Sequence, residues 1–245
     1  MGYKLSTEVS EAQAVWSRQK FLMIGSAGIG KSDFWQHAEG VGYVQSEAGL
    51  EFITAIKNEV RSWADVHSLM GALMEAMKND TFPYKTLVVD TIDRIVDLAN
   101  EEALKWGREK FSKNEIRVLG DIPNGSGWFV RQGLVQKFLR GLEILPCCKV
   151  LVGHVETKKI EEDGAKPYDR KSISIGGKIG GDILAWSDHT LHVVGRRMGD
   201  TLKRTVHTKP TQSREAKSRG GAVKDGWVWE EESKSNFNKL RSVFT

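Results

Sequence analysis

Cysteine is nearly absent from these 245 residues: the chain holds two, Cys147 and Cys148, side by side in a segment that reads as helix end and buried strand. Neighbouring cysteines rarely bridge each other, so no disulfide framework is expected, and both read as small buried hydrophobes in a reducing compartment. Cysteine and histidine nowhere share zinc-ligand spacing, which predicts no structural metal. No apolar run approaches the ~18–20 residues of a membrane span, and Met1 to Ser10 lacks the apolar stretch of a secretory leader. A soluble, cytoplasmic protein is the expectation. Gly2 and Ser6 fit a myristoylation pattern, but no polybasic segment follows closely enough to supply a second membrane signal, so it is set aside. Proline is scarce, at 5 against 25 glycines, while 40% apolar and 28% charged residues are ordinary globular values. A chain of this length is expected to fold as a single domain, with a core over about 18–208 and a basic loop, strand and helix over about 209–245.

The net charge of +4 is unevenly placed. From Arg196 to Lys224 nine basic residues face only Asp200 and Glu215, a local net of +7 that leaves the remainder at −3. Two readings stay open for this asymmetry: an edge that meets phosphate, or a solvated basic loop.

Short apolar runs at Phe21–Ile24, Val41–Val44, Thr86–Asp90, Val150–Gly153 and Thr190–Val194 read as strands. Stretches with helical spacing separate them, at Ser62–Asn79, Ile92–Phe111 and Trp128–Leu145. This alternation predicts a mostly parallel α/β sheet flanked by helices, with ligands beyond the carboxyl ends of the strands. Glu156–Gly181 and Thr208–Asp225 break the pattern and read as functional or mobile loops rather than core. Trp227–Trp229 is a candidate edge strand, and Ser233–Phe244 a short amphipathic helix.

Gly25-Ser26-Ala27-Gly28-Ile29-Gly30-Lys31-Ser32 matches the phosphate-loop pattern G-x-x-x-x-G-K-[ST] in full, after a strand and before a helix through Phe34 and His37. Its glycines let successive backbone N–H groups turn onto phosphate oxygens, with Asp33 next in line. Lys31 is expected to neutralise the β- and γ-phosphates, and Ser32 to offer its hydroxyl to Mg²⁺. Asp90, closing the apolar run Leu87–Val89, is the candidate second magnesium residue, or else the cap of the following helix. Thr91 stands where many ATPases carry a glutamate base. Glu47, just past the second strand, is therefore the candidate base for water, with Asp93 its rival and a plain loop acid the alternative. His154, after the Val150–Gly153 strand, is either a γ-phosphate sensor or a hydrogen-bonded structural residue. No guanine-binding Asn/Thr-Lys-x-Asp signature is present, which favours ATP.

In this order, phosphate loop, Glu47, Asp90 and His154, the chain resembles the RecA-like P-loop NTPase core. More closely it resembles phage-encoded AAA/RecA-type nucleotide-binding proteins of the single-strand annealing and recombination group, through Glu47-Ala48-Gly49, Gly153-His154, Thr208-Lys209-Pro210 and Ala216-Lys217-Ser218-Arg219. The similarity spans about residues 18–225. It implies a Mg-ATP-dependent, DNA-stimulated ATPase acting on single-stranded DNA in recombination or annealing, located in a host cytoplasm. It also implies a homo-oligomer, ring or filament, with nucleotide between subunits and a single-strand DNA-binding protein as a further candidate partner. Lys217 and Arg219 would then be fingers reaching a neighbour's γ-phosphate, with Arg196 and Arg197 as rivals. Lys158, Lys159, Lys166, Arg170, Lys171 and Lys178 would line a nucleic-acid loop in which Tyr168 stacks on a base. Glu161, Glu162, Asp163 and Asp169 dilute that charge, so a plain surface loop stays open. The alternative functions are a helicase-loader-like or terminase-like partner protein that binds ATP with weak hydrolysis, and a small-molecule phosphotransferase.

Overall fold

The structure is a computed structural model that describes residues 14–112, 115–161, 166–199, 201–230 and 233–244. Gly2, Ser6, Glu162, Asp163 and Asp200 lie outside the described residues. In chain order the elements are β1 (Lys20–Gly25), α1 (Lys31–Trp35), β2 (Val41–Gln45), β3 (Ile56–Glu59), α2 (Trp63–Lys78), β4 (Thr86–Asp90), α3 (Ile92–Phe111) and α4 (Ser126–Glu143). There follow β5 (Cys148–Gly153), β6 (Val155–Ile160), β7 (Tyr168–Ile173), α5 (Gly177–Trp186), β8 (His189–Met198), β9 (Thr201–His207), β10 (Lys217–Ser218), β11 (Trp227–Trp229) and α6 (Ser233–Arg241).

One nine-stranded sheet runs β11-β9-β8-β1-β5-β4-β2-β3, with β10 paired to β8. Within it β8, β1, β5, β4, β2 and β3 are parallel, and β9, β10 and β11 pair antiparallel at one edge. The phosphate-loop strand β1 does not touch β4, because β5 is inserted between them. This is the mostly parallel sheet flanked by helices that the alternating runs predict. No helix among the described residues is long and apolar enough to cross a membrane.

Successive side chains of a strand point to opposite faces, so a strand buried on both sides must be apolar throughout. β1 follows that rule: Leu22 and Ile24 join the core under α2, α3, α4 and α5, while Phe21 and Met23 join the core under α1 and α6. β4 and β5 divide their residues the same way, which is why the three runs could be read as strands without any alternation of polarity. At the start of α2 the Ser62 hydroxyl accepts the Asp65 amide and the Asp65 carboxylate accepts the Ser62 amide, a reciprocal cap that fixes the entry of the helix.

Several elements differ from expectation. α1 is five residues long and stops at Trp35, because the chain turns at Gly40 (φ +57°) to enter β2 at Val41. Within Glu156–Gly181, expected as a loop, lie the antiparallel hairpin β6–β7 and the start of α5. The basic stretch after Thr208 is likewise built into the fold: Thr208, Ala216 and Val223 are buried, and Lys217–Ser218 pair with β8. The polar edge strand β3 and the basic strand β9 carried no apolar run to announce them.

Candidate functional site

The phosphate loop runs from the end of β1 into α1, and its glycines are required by geometry. A Cβ on Gly25 would stand 2.9 Å from the Val193 carbonyl oxygen of the adjacent β8. Gly30 adopts φ +99°, a left-handed conformation that side chains disfavour. Lys31 is 6% exposed and donates from Nζ to the carbonyls of Gly25 and Ser26, each at 3.0 Å. Burial holds the Lys31 ammonium below the ordinary lysine value, against the opposing pull of Asp90, Asp93 and Glu47. A buried cation whose hydrogen bonds, among the described residues, go only to carbonyls is poised to take an anion.

Asp90 ends β4, is 5% exposed, and accepts a hydrogen bond from Ser32 Oγ at 2.5 Å. Burial raises its carboxyl above the usual range, and Glu47 adds to that, while Ser32, Lys31 and His154 act against it. Asp90 is not the cap of α3. That position belongs to Thr91, whose hydroxyl accepts the Arg94 amide, and the Asp90–Thr91 peptide is cis. Tyr43 donates its hydroxyl to the Ser32 carbonyl at 2.8 Å and so steadies the first turn of α1 from below.

A cleft of ≈ 330 Å³ brings Lys31, Ser32, Glu47, Asp90 and His154 together with Gly28 and Gly30. The sequence placed all of them after strand ends; the parallel sheet puts those ends on one rim. Two residues that organise the rim were missed or assigned otherwise. Ser46 accepts the Thr91 amide at 2.9 Å and donates to the Thr91 carbonyl at 3.0 Å, while its own amide donates to the Asp90 carbonyl. Its position beside Glu47, at the end of β2, was the available signal. Asp93, the rival base, spends its carboxylate elsewhere: Oδ2 accepts the His154 amide at 3.0 Å and Oδ1 accepts the Ser174 hydroxyl. His154 Nδ1 lies 3.6 Å from the same carboxylate.

Lys217 and Arg219 are not part of this rim. β10 pairs with Thr190 and His189 at the start of β8, and His189 is in register with Phe21 at the start of β1, so both residues lie at the opposite end of the parallel strands. Lys217 donates to the carbonyls of Leu184 (3.0 Å), Ala185 (3.4 Å) and Ser187 (2.5 Å), closing the C-terminus of α5. Arg219 pairs with Asp188 at 2.9 Å. Arg196 and Arg197 stand on the exposed end of β8, beyond its pairing with β1.

Nor do the basic residues assigned to nucleic acid form one uniform surface. Lys158 and Arg170 share one face of the β6–β7 hairpin, and Lys159 and Lys171 the other. Lys158 donates to the Ile173 carbonyl at 2.8 Å and pairs with Glu156, and Lys159 pairs with Glu161. Arg170 stacks over the Tyr168 ring and donates to the Tyr168 hydroxyl and the Gln212 carbonyl. Lys166 precedes β7, and Lys178 lies in the first turn of α5. Among the described residues, no group of three or more His, Cys, Asp or Glu side chains is arranged to hold a metal ion by itself.

Comparison with known proteins bears on this site. The family model described as "AAA domain" matches residues 17–220, which includes the phosphate loop, Glu47, Asp90 and His154. No curated protein matches the sequence. Among solved structures, a KaiC-like protein from the hyperthermophilic archaeon Pyrococcus horikoshii OT3 superposes with a TM-score of 0.49 at 13% identity, over 89% of this chain and 88% of that one. With a complete phosphate loop opposite Asp90 and a family match over most of its length, the chain belongs to the AAA domain family of P-loop ATPases.

Proposed function

We propose that the protein hydrolyses Mg-ATP and couples hydrolysis to binding of single-stranded DNA, in the service of DNA recombination or annealing. The observation that carries the ATPase part is the contact between Ser32 and Asp90, 2.5 Å apart in the same cleft as the buried Lys31. Both are hard oxygen donors from opposite walls, the donor chemistry Mg²⁺ prefers, and two protein ligands leave the remainder to water and phosphate oxygens. Magnesium, when bound there, would neutralise charge on the phosphate chain. Lys31 binds the β- and γ-phosphates, exchanging its carbonyl partners for phosphate oxygens. Glu47, exposed on the loop that Ser46 fastens to β4, orients the attacking water and takes its proton.

His154 begins the link to DNA. It closes β5 and leads straight into the β6–β7 hairpin with Lys158, Lys159, Lys166, Tyr168, Arg170 and Lys171, while Asp93 ties the His154 amide to Ser174 just beyond β7. A change at the γ-phosphate therefore has a short covalent and hydrogen-bonded route to the hairpin. A homo-oligomer with nucleotide between subunits is part of the same reading. The test is ATP turnover with and without single-stranded DNA over a range of protein concentrations and salt. DNA stimulation that rises with protein concentration supports the proposal. Tight ATP binding with flat, near-zero turnover replaces it with a nucleotide-gated loader-like partner protein. Lys31→Ala hydrolysing ATP at the parent rate sinks the catalytic assignment.

A further inference from the structure

We infer that Arg204 of β9, backed by Trp229 of β11, holds the α-phosphate end of the nucleotide and acts as a substrate-positioning cation from the chain's own antiparallel edge. The inference rests on the ATPase reading and extends it to residues that no phosphate-loop pattern contains. Arg204 and Trp229 are register partners across the β9–β11 pair. The guanidinium lies over the indole, 5.7 Å from its centroid. Both groups press against the phosphate loop: a Cβ built on Gly30 would lie 3.7 Å from Trp229 Cζ2 and 4.0 Å from Arg204 Cζ.

Neither side chain is satisfied there. Trp229 is 5% exposed, and its Nε1 is buried without a hydrogen-bond partner; the Nε of Arg204 is also buried and unpartnered. Arg204 makes no ion pair among the described residues. Buried polar groups almost always find partners. Two unpaired groups that can only donate, one of them cationic and beside a loop built for phosphate, call for an acceptor-rich anion. Guanidinium is suited to that task, because its planar fork matches two phosphate oxygens and its weak hydration lowers the cost of burial.

The side of the loop selects the end of the ligand. Glu47, Asp90 and His154 follow β2, β4 and β5, all on one side of β1, while Arg204 and Trp229 belong to strands on the other side. A nucleotide that puts its terminal phosphate at the carboxylates lays its α-phosphate towards β9. Arg204 therefore touches what ATP and ADP share. Trp229 in turn packs on Phe34 of α1, with ring centroids 5.1 Å apart, so the pair is braced against the helix that the loop opens.

The experiment is calorimetric titration of MgATP and MgADP into the full chain and into Arg204→Gln, Arg204→Lys and Trp229→Phe, with steady-state ATP kinetics alongside. Arg204→Gln is expected to weaken both nucleotides by about ten-fold or more and to raise KM with kcat held within about two-fold. Arg204→Lys, which keeps the charge but loses the fork, should fall between Arg204→Gln and the parent, and Trp229→Phe should weaken both nucleotides by a few-fold. Arg204→Gln or, if it fails to fold, Arg204→Lys binding both nucleotides as the parent does overturns the inference. So does a loss confined to ATP, which would move Arg204 to the γ-phosphate. A parent chain that binds neither nucleotide overturns the ATPase reading and this inference together, whereas a parent that binds normally beside unaffected variants overturns the inference alone.

Discussion

Ser46 and Thr91 exchange two hydrogen bonds: the Ser46 hydroxyl accepts the Thr91 amide at 2.9 Å and donates to the Thr91 carbonyl at 3.0 Å. One small side chain thereby fastens the loop carrying Glu47 to the strand end carrying Asp90. Both bonds are buried, so Ser46→Ala leaves an amide and a carbonyl without partners. The expected cost is about 1–3 kcal/mol of stability. Turnover should fall more than nucleotide affinity, because Glu47 loses its anchor while the phosphate loop is untouched. Urea unfolding and ATP kinetics on the same variant check both halves.

The finger role that the resemblance implies for Lys217 and the closing of α5 that its contacts show make different predictions. If its ammonium serves to close α5, Lys217→Ala lowers the unfolding free energy by about 1–3 kcal/mol, because the carbonyls of Leu184, Ala185 and Ser187 lose their shared donor. Turnover per chain should then keep the parent's dependence on protein concentration. A turnover loss that deepens as concentration rises, at unchanged stability, would restore the finger role.

Two buried histidines set an acid limit. His189 and His192 are 2% and 1% exposed, and burial pushes each down to about 4 from an ordinary 6.5. Burial outweighs their contacts with acceptors: His189 Nε2 reaches Gln19 Oε1 at 3.1 Å, and His192 Nδ1 reaches the Glu215 carbonyl at 2.9 Å, a bond that by itself favours the charged ring. Between these pH values the unfolded chain binds protons that the folded chain refuses. The contribution of both groups is therefore complete above about 6.5 and lost as pH falls towards about 4, up to roughly 3 kcal/mol per histidine. Thermal unfolding from pH 7 to pH 4.5 should show the decline, and His192→Gln should make it shallower.

Phe34 couples the core to the site. It is fully buried on α1, with Trp35, Trp229 and Phe237 at centroid distances of 5.1, 5.1 and 5.8 Å. Phe34→Ala should cost about 3–5 kcal/mol, as large-to-small changes in packed cores do. Nucleotide affinity should fall as well, since α1 opens directly from the loop. A stability loss with unaltered affinity would mean that the loop holds its shape without α1 packing.

What the sequence made legible was local. The phosphate loop, Asp90 and His154 each sit one step past an apolar run, and Glu47 three steps past one, and a parallel sheet converts those positions in the chain into places on the rim. The β6–β7 hairpin stayed hidden because its strands, Val155–Ile160 and Tyr168–Ile173, alternate charges on both faces and offer no apolar period. β9 was hidden differently: its Lys203 and Arg204 were counted as charge, and no residue-by-residue reading could place Arg204 against Gly30 or Lys217 against α5. Those contacts join segments far apart in the chain and exist only through the pairings of the antiparallel edge.

The insertion of β5 between β1 and β4 gives the site a fixed gauge. Neighbouring strands lie about 4.8 Å apart, so the strand that presents the phosphate loop and the strand that presents Asp90 are held roughly 10 Å from one another. That width is dictated by two rows of backbone hydrogen bonds, not by side chains. Core substitutions can soften the packing above and below the sheet and leave the opening unchanged, whereas a proline within β5, by removing one rung, would alter the bore itself.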